Sequence, residues 1–149
     1  MKKLITLLAL MMISISAWAF PFDKYTINRK ELPEEAQTFL TTHFGNAKVS
    51  MIKVDKKLLR KPDYEVKLTN GTEIEFNSRG KWTEVDCKKK EVPSAILPSA
   101  IRRHVTKNYP GLAVVKIEKT TKGYEVDLSD DTGPVSYTHL RAHETGAYL

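Results

Sequence analysis

Tyr64-Glu-Val-Lys-Leu-Thr-Asn-Gly-Thr-Glu-Ile-Glu-Phe76 decides the fold of this chain. It holds two runs of apolar/polar alternation joined by Asn70-Gly71. Side chains along a strand alternate between two faces, so Tyr64, Val66, Leu68, Ile74 and Phe76 can share a buried side. Glu65, Lys67, Glu73 and Glu75 then point the other way. Alternation around Asn-Gly predicts a β-hairpin, and the tightest such connection is a type I′ turn, which needs positive φ at both central residues.

The first half of this stretch returns sixty residues later as Tyr124-Glu-Val-Asp-Leu-Ser-Asp-Asp-Thr132. Further upstream, Leu32-Pro33 aligns with Leu97-Pro98 at an offset of 65. Phe44 then falls on Tyr109, Val49 on Val114 and Ile52 on Ile117. The longer Leu58–Pro62 loop of the first copy accounts for the drop to an offset of 60. Each copy reads as a helix followed by four strands. One helix cannot bury its apolar stripe alone, and an antiparallel sheet needs one face covered. The expectation is therefore an α+β fold. It is a tandem repeat of helix plus antiparallel four-stranded sheet, with the second sheet face open to solvent.

Helix signals support this plan. Glu31-Leu-Pro-Glu-Glu35 opens one helix, with proline in the first turn and carboxylates at the positive end of the dipole. Leu32, Ala36, Phe39, Leu40 and Phe44 follow at helical spacing, and Gly45 or Asn46 ends the run. Leu97, Ile101, Val105 and Tyr109 mark a second stripe, stopped by Pro110-Gly111. Between the helices, 47–57 reads as a strand of ambiguous facing and Asn77-Ser-Arg-Gly80 as a turn. In the strand 81–87, simple alternation groups Trp82 with Glu84 and Asp86, and Thr83 with Val85 and Cys87.

The ends of the chain have a different character. Lys2-Lys3, the apolar run Leu4–Ile15 and Ala17-Trp18-Ala19 form a secretory signal peptide over residues 1–19. The mature chain is expected to begin near Phe20, outside the cytoplasm and without a stable membrane span. After Gly133 the repeat predicts a strand resembling Glu-Ile-Glu-Phe. Pro134–Thr145 instead closely resembles the in-frame translation of a transposon-type sequencing-library adapter, so residues 134–149 read as a non-native tail. His139, His143 and Glu144 in that tail imitate metal ligands on a helix and are set aside for the same reason. The expected units are thus residues 1–19 as leader, 20–87 as first repeat, 92–133 as incomplete second repeat and 134–149 as tail.

Composition narrows the function classes. The chain carries a formal net charge of +6; without Lys2 and Lys3, 22 basic residues face 18 acidic ones, well mixed. The basic runs Lys56-Lys57, Arg60-Lys61 and Lys88-Lys89-Lys90 fit solvated loops better than a nucleic-acid surface. Cys87 is the single cysteine, which excludes an internal disulfide and a cysteine metal cluster and suits a buried thiol at a strand end. His43 and His104 lie on corresponding helices and share no catalytic motif with it. No phosphate loop, nucleophile elbow or CxxC is present. No cofactor and no metal site is expected, and no enzyme activity.

The stretch 32–132 resembles the PepSY-like family, also described as β-lactamase-inhibitor-like. The resemblance rests on both Leu-Pro pairs, on Asn108-Tyr-Pro-Gly111, on Tyr-Glu-Val-x-Leu at 64–68 and 124–128, and on Asn70-Gly-Thr-Glu-Ile-Glu-Phe-Asn77-x-x-Gly80-x-Trp82. It implies a small exported protein of a Gram-negative bacterium, periplasmic or secreted, with the fold of the β-lactamase inhibitor protein. It carries no inhibitory residue across. The expected function is a non-catalytic binding or inhibitor-like module that meets an exported or envelope protein through its open sheet face. Glu65, Lys67, Glu73, Glu75 and Trp82 are the candidate contacts, with Trp82 either an exposed anchor or part of the core. The alternative is a small-ligand, ion or envelope-stress sensor using the same face.

Overall fold

The structure is a computed structural model that describes residues 23–56, 60–130 and 133–135. The leader 1–19 and the tail beyond Val135, with its two histidines, lie outside the described residues. Among the described residues eight strands and two α-helices follow one another. They are β1 (Lys24–Thr26), a 3₁₀ turn (Arg29–Glu31), α1 (Glu34–Phe44), β2 (Val49–Asp55), β3 (Asp63–Leu68), β4 (Glu73–Phe76), β5 (Trp82–Asp86), α2 (Ser99–Asn108), β6 (Ala113–Thr120), β7 (Gly123–Asp130) and β8 (Gly133–Val135). All eight strands join one antiparallel sheet in sequence order. The two expected four-stranded units are therefore not separate sheets, because β5 pairs directly with β6 through Glu84, Val85 and Asp86.

The core follows from the alternation. Ile52, Val66, Ile74, Val85, Ile117 and Val126 stand opposite one another across successive strands, and all are buried. Against this row pack Ala36, Leu40 and Phe44 of α1 and Ile101 and Val105 of α2, in one contiguous cluster. The ambiguity in β2 resolves with Ile52 and Val54 inward. Each buried aliphatic side chain of this kind contributes about 1.5–3 kcal/mol relative to exposure. Both helices begin after a proline at the N-cap, Pro33 and Pro98, where the ring costs no helical hydrogen bond.

The hairpin of β3 and β4 forms in the expected register, with Tyr64 opposite Phe76 and Lys67 opposite Glu73. Its turn is not type I′. Gly71 has φ +88° while Asn70 remains at negative φ. Leu68 N–H donates to Thr72 O (2.9 Å) and Gly71 N–H to Leu68 O (3.0 Å). This is the pattern of a three-residue loop with glycine at the bulge. The Asn70 side chain accepts from Thr72 N–H instead of supplying a second positive φ. The 77–80 turn repeats the arrangement, with Gly80 at φ +83° and Gly80 N–H donating to Asn77 O.

Irregularities in the sheet fall at equivalent places. β2 bulges between Val49 and Met51 against Leu68 and Lys67. β6 bulges between Val114 and Lys116 against Leu128 and Asp127. A third irregularity lies between β4 and β5, and it decides the placement of Trp82.

Candidate functional site

Helices cover one face of the sheet. Among the described residues nothing covers the other. Side chains opposite one another in an antiparallel pair share a face, so the registers define a continuous outer row. Tyr25 is opposite Lys53, Lys53 opposite Glu65, Glu65 opposite Glu75, Glu75 opposite Glu84, Glu84 opposite Glu118 and Glu118 opposite Glu125. Five glutamates thus stand side by side on five neighbouring strands. The next row is mixed: Lys67, Glu73, Asp86, Lys116 and Asp127.

The two rows differ in how their charges are met. Lys67 bridges Glu73 (3.0 Å) and Glu65 (3.4 Å), Lys88 bridges Asp86 (2.7 Å) and Glu73 (2.9 Å), and Lys116 meets Glu84 at 2.9 Å. The hydrogen bonds from Lys88 and then Lys67 hold the Glu73 carboxyl below its ordinary value. Asp86 and then Glu73 in turn raise Lys88, and Glu73 and then Glu65 raise Lys67. Burial works against the charge of Lys116, but its hydrogen bond to Glu84 leaves it raised. In the glutamate row, Glu75 and Glu118 make no ion pair among the described residues. Lost solvation in the crowd, and then the charges of Glu84, Glu65 and Glu118, push the Glu75 carboxyl upward. Like charges on adjacent strands disfavour ionisation of the one between them. At one end of the row an open dish of about 230 Å³ lies between Lys53, Glu65, Glu75 and Thr83.

The structure therefore brings Glu65, Lys67, Glu73 and Glu75 together on the open face, as the alternation placed them. It does not place Trp82 there. Glu75 is opposite Glu84, but the next residue, Phe76, is opposite Trp82. Trp82 and Thr83 together face one residue, so the β-bulge resets the alternation. Thr83 turns to the dish and Trp82 to the helix side. There its indole packs on Phe39 of α1 (ring centroids 6.3 Å) and Tyr124 of β7 (6.4 Å), with Lys119 Nζ 3.6 Å from the ring centre. Grouping Trp82 with the open-face contacts is corrected accordingly.

Glu84, Glu118 and Glu125 complete the row and were not singled out by sequence reasoning. Glu125 was within reach, since the offset of 60 carries Glu65 onto it. Cys87 is buried, and burial pushes its thiol up, which suits a structural thiol rather than a nucleophile. His43 lies 4.7 Å from the Phe39 ring, and His104 is exposed beside Tyr109. Among the described residues no group of three or more His, Cys, Asp or Glu is arranged to hold a metal ion. No described helix is long and apolar enough to cross a membrane.

A meandering antiparallel sheet with helices on one side and a charged open face on the other defines a small α+β module. The chain belongs to the family described as "Putative beta-lactamase-inhibitor-like, PepSY-like", whose profile matches residues 62–138. It is similar to a Bacteroides vulgatus protein described as a putative periplasmic protein of unknown function. The two are 42% identical over 78% of this chain and 92% of that one, with a TM-score of 0.69. A putative calcium-regulated periplasmic protein from Bacteroides thetaiotaomicron is 41% identical over 76% of this chain and 94% of its own, with a TM-score of 0.67. A second Bacteroides vulgatus protein, described as a putative periplasmic protein, is 38% identical over 80% and 98%, with a TM-score of 0.69. No curated protein matches the sequence.

Proposed function

We propose that the protein is a non-catalytic periplasmic binding module that engages a protein partner through the open face of its sheet. The observation that carries this reading is the uninterrupted row Glu65, Glu75, Glu84, Glu118 and Glu125 on an uncovered face. A row of like charges destabilises the sheet that bears it, so its presence fits a surface kept for contact rather than for stability. Family membership and the periplasmic descriptions of its similar structures support the compartment. A duplicated origin is part of the proposal. The matched bulges of β2 and β6 and the matched proline caps support two equivalent units.

Site-specific photocrosslinking tests the reading. A benzophenone side chain at position 75, on the open face, is expected to capture a partner in periplasm, whereas one at position 107, on the outer side of α2, is not. The captured protein is then purified and its binding to the chain measured by calorimetry. Capture from position 107 alone, or from neither, refutes the reading.

The second reading, ion sensing, is favoured by the calcium-regulated description of one similar structure. It predicts a calorimetric response to Ca²⁺ that is lost when Glu75 and Glu118 are both replaced by glutamine.

A further inference from the structure

The open face segregates charge against the balance of the chain. Its two outer rows set eight carboxylates against Lys53, Lys67, Lys116 and the Lys88 ammonium that bridges Glu73 and Asp86, although the whole chain carries a formal net charge of +6. The glutamate row also ends on an apolar anchor. Tyr25 continues the row beyond Lys53, and Tyr25 and Ile27 are 60% and 71% exposed, the large hydrophobic side chains left to solvent among the described residues. Acid in a line, with an exposed aromatic at its end, is complementary to a partner whose cations also lie in a line.

The spacing of the row selects the partner's backbone. Neighbouring strands stand about 4.8 Å apart, so four steps from Glu65 to Glu125 span roughly 19 Å. Cations one turn apart on an α-helix repeat about every 5.4 Å and cover roughly 22 Å in four steps. Cations on alternate residues of an extended chain repeat about every 6.7 Å and cover roughly 27 Å. Flexible lysine and arginine stems absorb the first mismatch and not the second.

Resting on the binding-face reading above, we infer that the open face takes a cationic α-helix of a protein partner, lying across the strands with one Lys or Arg per turn over the glutamate row and an apolar residue against Tyr25. This chain's own α2 fits less well. Its exposed cations are Arg102, Arg103 and Lys107, on two successive turns, so one side of it can meet only two of the five glutamates. Encounter with such a partner is steered by charge and weakened by salt.

The probe is a synthetic helix of about 20 residues, the length that reaches from Tyr25 to Glu125. It carries lysines along one side, alanine and glutamine elsewhere, and leucine at one end. Fluorescence anisotropy with the full chain is expected to show binding that weakens about tenfold in the Glu75→Gln/Glu118→Gln variant, as the loss of two solvated ion pairs implies. Leu→Lys at the peptide end is expected to weaken it as well. A scrambled peptide of the same composition, with lysines on all sides, is expected to bind several-fold more weakly. Circular dichroism establishes that the variant is folded. Equal affinity for the ordered and scrambled peptides, or for the variant and the parent chain, overturns the inference. So does self-association of the chain through α2, seen in sedimentation and abolished by the same substitutions, or calcium binding at the row in place of the peptide. If a partner captured through position 75 binds the variant undiminished, the inference fails and the binding-face reading stands. If nothing is captured there, both fail.

Discussion

Truncation of Trp82 separates a structural role from a contact role. Trp82→Ala removes an indole held between Phe39 and Tyr124 and capped by Lys119. Full burial would set the cost of truncating a large aromatic at about 3–5 kcal/mol. Trp82 is only half-buried, and its ring pairs and cation contact contribute about 0.5–1.5 kcal/mol each. The expected loss is therefore about 2 kcal/mol. For a domain of roughly 100 residues this lowers Tm by about 8–16 °C. Differential scanning calorimetry reads the shift, and Trp82→Phe is expected to recover about half of it. Under conditions where the variant remains folded, binding at the open face is expected to be unchanged, because the indole lies on the opposite side of the sheet. A Tm within about 2 °C of the parent, equivalent to less than about 0.5 kcal/mol, together with lost open-face binding, would refute the placement.

Two glycines give a matched pair. Gly80→Ala puts a Cβ 2.9 Å from Ala36 N and from the Pro33 side chain at φ +83°, whereas Gly71→Ala meets nothing within 4 Å at φ +88°. Positive φ alone costs about 1–2 kcal/mol, so urea denaturation is expected to show a distinctly larger loss at Gly80, where the clash with the start of α1 adds to it. Glu75→Gln is expected to stabilise the protein at neutral pH. A raised folded-state pKa means that the folded form holds its proton more firmly, so the parent loses stability as pH rises from the ordinary carboxylate range through the raised value. Urea midpoints across that window are expected to fall less steeply in the variant. Native Cys87 is expected to resist alkylation until denaturant is added, since the thiol is buried and its pKa raised; rapid labelling in buffer would contradict this.

Local patterns were legible in the sequence, and long-range ones were not. The hairpin 64–76 could be placed because apolar alternation and the turn lie within thirteen residues, and both helices because stripe and caps are local. The type of turn was missed because Asn70 satisfies a neighbouring N–H from a negative φ, which residue identity does not distinguish. Trp82 stayed open between core and open face, and simple alternation grouped it with Glu84 and Asp86, because one extra residue at the bulge inverts a period-2 pattern without leaving any mark in it. The glutamate row depends on the pairing of β5 with β6, a contact between Glu84 and Glu118 across the whole second helix. Of that row, Glu65 and Glu75 belong to a single hairpin and group by alternation alone, and Glu125 follows from Glu65 by the repeat offset.

Every strand of the sheet pairs only with its neighbours in sequence. Such a meander has a simple folding problem. Each new strand adds to an edge already formed, and the loops to be closed are short except between β1 and β2, where α1 intervenes, and between β5 and β6, where α2 does. Loop-closure entropy grows slowly with length, and topologies rich in local contacts fold quickly. The sheet can therefore assemble in order as the chain emerges N-terminus first, with β1 to β5 and α1 forming a partial core before α2 arrives. The slow step expected of this architecture is the docking of α2 and the pairing of β6 onto the exposed edge of β5.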